Sequence, residues 1–137
     1  MDGWKIAQTL NIDEHSALIA VGGDGTLHEV VNGMMFRTDK KKVPIALVPN
    51  GSGNDTCISV GLKSIDQAIE YIKKGDLLKC DLNRVYLDAD TFDEIEKREV
   101  PDEQKYAKAR YSLINSGIGF TAKCCSAAAG VKSWAGS

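Results

Sequence analysis

Residues 17–33 read Ala-Leu-Ile-Ala-Val-Gly-Gly-Asp-Gly-Thr-Leu-His-Glu-Val-Val-Asn-Gly, and this stretch decides the fold. Its first five residues are apolar and partly β-branched, a composition typical of a strand that is buried on both faces. After Thr26, apolar residues recur at positions 27, 30, 31 and 34, which is the spacing of one helix face. The stretch therefore predicts a buried strand, a glycine-rich turn and a helix.

The turn between strand and helix contains Gly22, Gly23 and Gly25, which leave room for a ligand to approach the backbone. The helix that follows points free N–H groups and the positive end of its dipole at the turn, an arrangement that suits a phosphate. Asp24 lies inside the turn, where its carboxylate would repel a phosphate unless it carries a proton or works with a metal ion. Chemistry at a phosphate is the simplest reason for an aspartate at this position.

The same residues also have purely structural interpretations. Thr26 and Glu29 have the Thr-x-x-Glu spacing of a capping box, so both could serve only to start the helix. Asp24 could be an ordinary turn residue. On this stretch alone, the two interpretations stay open.

A second unit of the same kind follows along the chain. Residues 43–48 predict another strand, and a helix is expected from about Thr56. Between them lies a polar, glycine-rich loop in which Ser52 and Asp55 form a further capping pair, and which contains Gly51, Ser52, Gly53 and Asn54. If the two strands are parallel neighbours, both loops lie at the carboxyl edge of one sheet, where α/β folds bind ligands. The repeated pattern therefore predicts a nucleotide site.

The rest of the chain predicts a change of architecture. Residues 64–74 have the pattern of a helix, with a Ser64–Gln67 capping box and Gly75 after its end. From residue 76 the apolar period changes to that of a strand, which suggests a new sheet; residues 88–105 form a charged insertion, and strand character resumes at 109–115. We therefore predict a nucleotide-binding α/β unit over residues 1–76 and a β-rich unit over residues 77–137.

Composition limits the classes of function. The chain has 137 residues, 43% of them hydrophobic, and a net charge of −2, so it lacks the basic surface of a nucleic-acid binder. Its four cysteines have no Cys-x-x-Cys spacing and are expected to be reduced thiols of a cytoplasmic protein. No apolar run approaches the roughly 20 residues of a membrane span, so any membrane contact is expected to be peripheral.

Together the two loops resemble the catalytic domain of the diacylglycerol kinase superfamily, which includes sphingosine, ceramide and bacterial lipid kinases. The resemblance covers residues 10–125, and the sequences that carry it are Gly-Gly-Asp-Gly-Thr at 22–26, Glu-Val-Val-Asn-Gly at 29–33, Pro-Asn-Gly-Ser-Gly-Asn-Asp at 49–55, Asp-Leu at 81–82, and 115–120. Gly-Gly-Asp-Gly alone is also similar to NAD kinases and phosphofructokinases. The second loop distinguishes lipid kinases from both.

The resemblance implies a partial Rossmann-like parallel sheet as nucleotide lobe, followed by the start of a β-sandwich lobe. It also implies ATP-dependent, Mg²⁺-assisted phosphoryl transfer to the hydroxyl of a diacylglycerol or sphingoid base at a membrane surface. Asp24 would accept the hydroxyl proton or assist the metal ion. The residues expected at the nucleotide are Gly22, Gly23, Gly25, Thr26, Glu29, Gly51, Ser52, Gly53 and Asn54. The metal ligands stay unassigned.

The chain also departs from this family's pattern. Family members usually have two strand–helix units before the Gly-Gly-Asp-Gly turn, and an acidic residue after Gly-Phe, where this chain has Gly-Phe-Thr-Ala-Lys at 119–123. We therefore expect a fragment truncated at both ends and a poor enzyme on its own. The alternative is a non-catalytic pseudokinase that holds nucleotide, or that binds a partner or a second copy through exposed apolar surface. An NAD kinase is a less favoured alternative.

Overall fold

The computed structural model describes residues 2–86, 109–113, 116–118, 120–124 and 127–128. The helices and strands follow in the order α1 (Asp2–Thr9), a 3₁₀ turn (Ile12–Glu14), β1 (Leu18–Gly22), α2 (Asp24–Met35), β2 (Ile45–Pro49), α3 (Asp55–Ser59), α4 (Ile65–Lys74), β3 (Asn83–Tyr86) and β4 (Ala109–Ser112). The predicted α/β fold class is confirmed. The charged insertion at 88–105, Asn115 and Gly119 lie outside the described residues, and the division into two units stays a prediction.

The two predicted buried strands are parallel neighbours. β1 pairs with β2 in a register that runs from Leu18 opposite Ile45 to Gly22 opposite Pro49. The pairing continues one step past the strands, because the N–H of Asn50 donates to the carbonyl of Gly22 at 2.9 Å. Both glycine-rich loops therefore leave the sheet at the same carboxyl edge, as predicted.

Two apolar clusters hold helices against this strand pair. Ala20 of β1 is buried with Ala7 of α1 and Val30 of α2. The second cluster joins α3, α4 and the loop between them, and its buried members are Cys57, Leu62 and Ala68. Leu47 of β2 packs against both clusters, so the loops at the strand ends stand on a common core.

Helices α1 and α2 approach each other closely at Gly33. A methyl group placed on Gly33 would lie 2.2 Å from the carbonyl oxygen of Trp4, so only glycine fits there. Arg37, just past the end of α2, donates from Nη1 to the carbonyl of Ala7 at 2.9 Å and from Nε to Asp39 at 2.9 Å. These contacts fix the position of α2, the helix that starts at the first glycine-rich loop.

The second sheet is shorter than its sequence pattern predicts. β3 and β4 are antiparallel, with Asn83 opposite Ser112 and Tyr86 opposite Ala109. The alternation that begins near residue 77 predicts a longer strand, but residues 77–82 are not in one. Leu77 and Leu78 are consecutive and both largely exposed, at 73% and 70%. This segment therefore has no buried side toward which alternate side chains could point. That part of the prediction is wrong.

Two of the three capping-box spacings in the sequence do not form capping boxes. α2 begins at Asp24 after an extended Gly23, so Thr26 lies inside the first turn instead of capping it. α3 begins at Asp55, so its N-cap residue is Asn54 and not Ser52. The Asn54 side chain makes no capping hydrogen bond to the helix. In α4, however, Ser64 Oγ accepts from the N–H of Gln67 at 3.1 Å, as predicted.

Candidate functional site

The two glycine-rich loops touch through their backbones. A methyl group placed on Gly51 would lie 2.4 Å from Cα of Gly23, and one placed on Gly23 would lie 3.0 Å from Cα of Gly51. Larger residues at either position would push the loops apart. Gly22, at the end of β1, is equally restricted, because a methyl group there would lie 2.3 Å from the hydroxyl oxygen of Thr26. The structure therefore brings the predicted loop residues together into one surface.

Asn54 shapes the second loop from within. Its Oδ1 accepts from the N–H of Gly51 at 2.9 Å, and its Nδ2 donates to the carbonyl of Gly51 at 2.7 Å. Its backbone is left-handed, with φ of 56°, a conformation that asparagine tolerates better than most residues. The Asn54 side chain thus holds the loop in the shape that lets Gly51 reach Gly23.

Asp24 connects the first loop to the helix that follows the second. Its Oδ2 accepts from the N–H of Asp55 at 3.0 Å, and its Oδ1 accepts from the N–H and the hydroxyl of Thr56 at 2.9 and 2.7 Å. The carboxylate therefore caps α3 from another part of the chain. The sequence predicts Asp24 in a turn but gives no sign that Thr56 belongs to the site, because a bond across 32 residues leaves no local spacing signal.

These hydrogen bonds stabilise the charged form of Asp24. Burial alone would raise the pKa of its carboxyl group, but the bonds from the Thr56 backbone, the Thr56 hydroxyl and the Asp55 backbone outweigh burial and lower it. Asp24 is therefore ionised at neutral pH. Burial, and then this negative charge, raise the pKa of the Cys57 thiol, so Cys57 is a protonated core residue.

Gly53 borders two carboxylates. A methyl group placed on Gly53 would lie 3.7 Å from Asp24 Oδ2 and 3.8 Å from Asp55 Oδ1, so both oxygens line the same small space. Across the described ranges, no three histidine, cysteine, aspartate or glutamate side chains gather as a metal site. Mg²⁺ bound with a nucleotide usually takes one or two carboxylates and the phosphate oxygens, so this pair fits that ion.

The other predicted nucleotide residues differ in their accessibility. Gly25 is exposed, and a methyl group placed on it would meet no side chain of the described residues within 4 Å. Ser52 is exposed in the second loop. Glu29 lies against α1, since its Oε2 would be 3.2 Å from a methyl group placed on Gly3. Gly25 and Ser52 are thus open to a ligand, whereas the Glu29 carboxylate is turned toward α1.

Comparison with known proteins agrees with this geometry. The family model described as diacylglycerol kinase catalytic domain matches residues 1–85. The chain belongs to this family. The diacylglycerol kinase catalytic domain thus includes both glycine-rich loops and the start of the second sheet.

Individual relatives of this diacylglycerol kinase domain are lipid kinases. Sphingosine kinase B of Dictyostelium discoideum is 39% identical over 74 residues, which cover 52% of this chain and 10% of that protein. Sphingoid long chain base kinase 4 of Schizosaccharomyces pombe is 34% identical over 125 residues, which cover 88% of this chain and 23% of that protein. Diacylglycerol kinase of Staphylococcus epidermidis is 40% identical over 73 residues, which cover 53% of this chain and 22% of that protein.

The chain spans less than a quarter of the length of these curated relatives. No solved structure matches it significantly. In the part of the chain that the structure describes, no helix is both long and apolar enough to cross a membrane.

Proposed function

We propose that this chain forms the phosphate-binding part of an ATP-dependent lipid kinase, which transfers the γ-phosphoryl group of ATP to the hydroxyl of a diacylglycerol or sphingoid base. The observation that carries the proposal is the backbone contact between Gly23 and Gly51 at the carboxyl edge of a parallel strand pair. That edge is where α/β folds hold nucleotides. The names of the relatives, sphingosine kinase and diacylglycerol kinase, support a lipid acceptor.

The loops and α2 supply the positive character that phosphates require. Gly25 and Thr26 lie in the first turn of a helix of 12 residues, where N–H groups have no carbonyl partner within the helix. The helix dipole favours negative charge at the same place. Because Gly25 has no side chain and is open, a phosphate can approach this turn directly.

Asp24 acts at the reacting atoms through Oδ2. Its Oδ1 already accepts two hydrogen bonds from Thr56, whereas Oδ2 accepts one from the backbone of Asp55 and keeps a free acceptor direction. Phosphoryl transfer depends mainly on alignment and on neutralising charge, so a fixed, ionised carboxylate can orient the attacking hydroxyl and take its proton. Mg²⁺ bound beside Asp24 and Asp55 would neutralise charge on the phosphate oxygens.

A second candidate is a non-catalytic nucleotide-binding module. It is favoured by the bonds that already engage the Asp24 carboxylate, because capping α3 is a sufficient structural reason for an aspartate there. In this case ATP would bind to the same loops without transfer to a lipid.

The test compares Asp24→Asn with Asp66→Asn, a control at an exposed aspartate in the first turn of α4. The longest natural form of the protein is given radiolabelled ATP, Mg²⁺ and mixed vesicles that contain diacylglycerol or sphingosine. We expect Asp24→Asn to lower kcat by about 10²–10⁴, the usual range for a general base, and the control to leave it unchanged. ATP affinity, measured with a fluorescent analogue, should stay equal or rise, because a negative charge near the phosphates is removed.

Each other result selects a different function. A kcat near wild type in a folded Asp24→Asn protein would reduce Asp24 to a helix cap. Wild-type protein that binds ATP but phosphorylates neither lipid would support the binding module. Phosphorylation of NAD instead of lipid would identify an NAD kinase.

A further inference from the structure

Asn32 is a fully buried polar residue in the middle of α2, and the phosphate loops do not use it. Its exposed fraction is 0%, and its partner lies 79 residues further along the chain. Nδ2 donates to the carbonyl of Tyr111 at 2.9 Å, and Oδ1 accepts from the N–H of Tyr111 at 2.8 Å. Nδ2 also donates to the carbonyl of His28, one turn earlier in α2, at 2.9 Å. The amide thus has partners for both its oxygen and its nitrogen.

The two bonds to Tyr111 copy the pattern of a β-ladder. In an antiparallel pair, one residue exchanges both its N–H and its carbonyl with the residue opposite. Here a side-chain amide replaces that residue, so α2 completes the hydrogen bonding of β4 at Tyr111. An apolar side chain of the same size would leave two backbone groups of β4 without these partners, which is costly in a buried position.

Aromatic contacts on both sides show that this is a packed junction. Phe36, one turn after Asn32, has its ring centroid 5.4 Å from that of Tyr111 and 5.2 Å from that of Trp4 in α1. The guanidinium of Arg110 lies 5.0 Å from the centroid of the Trp4 ring. Stacking fixes how near β4 lies to the helices, but rings can slide, whereas the Asn32 amide sets one register.

We propose that Asn32 is a positioning residue for phosphoryl transfer, which holds the β3–β4 sheet in one register against the helix that begins at Asp24. Asn32 lies eight residues after Asp24 in the same helix, about 12 Å along its axis. A slip of β4 at Asn32 therefore displaces the second sheet relative to the Asp24 carboxylate. This inference rests on the proposed kinase function.

The test uses Asn32→Leu, which keeps the branched shape and the number of side-chain heavy atoms and removes every hydrogen bond. The control is Val30→Ala, in the same helix as Asn32. It weakens the core beside Ala7 and Ala20 without touching the Asn32 amide. Asn32→Ser is a milder second variant in case Asn32→Leu does not fold. Two quantities are measured on the longest natural form of the protein: amide exchange over residues 109–113, and steady-state kinetics with ATP and lipid vesicles.

We expect both Asn32 variants to exchange the amides at 109–113 at least tenfold faster than wild type. We also expect kcat for lipid phosphorylation to fall by about 10- to 100-fold, because a displacement of about 1 Å can cost two orders of magnitude in rate. The KM for ATP should stay within about threefold, since the loops that contact phosphate are unchanged. Val30→Ala should destabilise the protein and leave both the exchange at 109–113 and kcat near wild type, measured well below its unfolding temperature.

Different failures point to different errors. Unchanged amide exchange in Asn32→Leu or Asn32→Ser would overturn the register-holding role, whatever the activity. Faster exchange with a kcat equal to that of Val30→Ala would show that the junction is structural only. Wild-type protein that protects 109–113 but phosphorylates no lipid would overturn the proposed function, and with it the catalytic part of this inference.

Discussion

At the scale of single residues, two glycines in the loops have opposite packing environments. Among the described residues, a methyl group on Gly25 would meet no side chain within 4 Å, whereas Gly51 leaves no room for a methyl group against Gly23. We predict that Gly25→Ala keeps the free energy of unfolding or raises it by up to about 1 kcal/mol, because alanine is the better helix former. It should still weaken ATP binding by about tenfold or more, because the methyl group lies where the phosphate would approach. Urea unfolding and fluorescent-nucleotide titration measure the two effects.

Gly51→Ala is the matched comparison for Gly25→Ala. Forcing a methyl group against Cα of Gly23 should lower the free energy of unfolding by about 1–3 kcal/mol and weaken ATP binding as well. If Gly25→Ala binds ATP as tightly as wild type, the phosphate does not approach the first turn of α2. That result would remove the phosphate site from this position.

The charge of Asp24 gives a prediction about pH. The pKa of Asp24 in the folded chain lies below the ordinary value of 3.8. The stabilisation that the charged Asp24 carboxylate gives to the fold is therefore complete above 3.8, and it is lost as the pH falls through the lowered pKa. We expect Asp24→Asn to be less stable than wild type at pH 7 by about 1 kcal/mol, the usual effect of losing an N-terminal cap. The difference should shrink as the pH falls below 3.8 and through the lowered pKa, where wild type also loses its charge. Thermal unfolding between pH 7 and pH 2 measures it, and a constant difference would contradict the assigned cause.

At the scale of elements, α2 makes three connections that are spaced along its length. Its start carries Asp24 to the loops, Asn32 bonds to β4, and Gly33 presses against α1. Asn32 and Gly33 are consecutive residues, so they lie on neighbouring faces of α2. One of these faces contacts β4 and the other contacts α1. This enclosure holds the first turn of α2, with Asp24, in place.

The close contact at Gly33 predicts a large effect from a small change. Gly33→Ala places a methyl group 2.2 Å from the Trp4 carbonyl oxygen, so α1 must move away from α2. We expect a loss of about 1–3 kcal/mol in the free energy of unfolding, measured with urea. Gly25→Ala in the same helix is the control, because its helix-propensity gain is similar and its steric cost is absent. Equal stability of the two variants would mean that α1 does not pack against α2 as described.

Strands, helices and caps could be predicted where the interacting residues are close to each other in the sequence. The two strands, the helix of residues 64–74 and its Ser64 cap follow from patterns within a few residues. The Thr26–Glu29 spacing matches a capping box, but α2 begins two residues before Thr26, because the extended Gly23 lets the helix begin at Asp24. The Asp24–Thr56 and Asn32–Tyr111 bonds join residues 32 and 79 positions apart, so no spacing pattern could reveal them. The sequence therefore predicts that the two loops lie together, but not the hydrogen bonds between them.

At the scale of the whole molecule, one face of β1 is buried and, within the residues that the structure describes, the other is left largely exposed. Ala20 is 3% exposed under the helices, whereas Ile19 and Val21, which point the other way, are 50% and 60% exposed. Adjacent β-branched side chains on a strand form a flat apolar patch, and such patches bind apolar dyes. Ile65 and Ile69 of α4 are also partly exposed, at 47% and 41%, and offer an internal comparison.

We predict that the purified 137-residue chain binds the dye ANS at the β1 face. The double variant Ile19→Thr with Val21→Thr keeps β-branched residues in the strand, so it should lower the free energy of unfolding by less than about 1 kcal/mol, as expected for exposed positions. Dye fluorescence should fall by at least half. The corresponding variant Ile65→Thr with Ile69→Thr should change the fluorescence less, because those side chains are less exposed and lie on a curved helix surface. A larger loss of fluorescence in the α4 variant would place the main apolar surface on that helix, and the open face of β1 would then need another explanation.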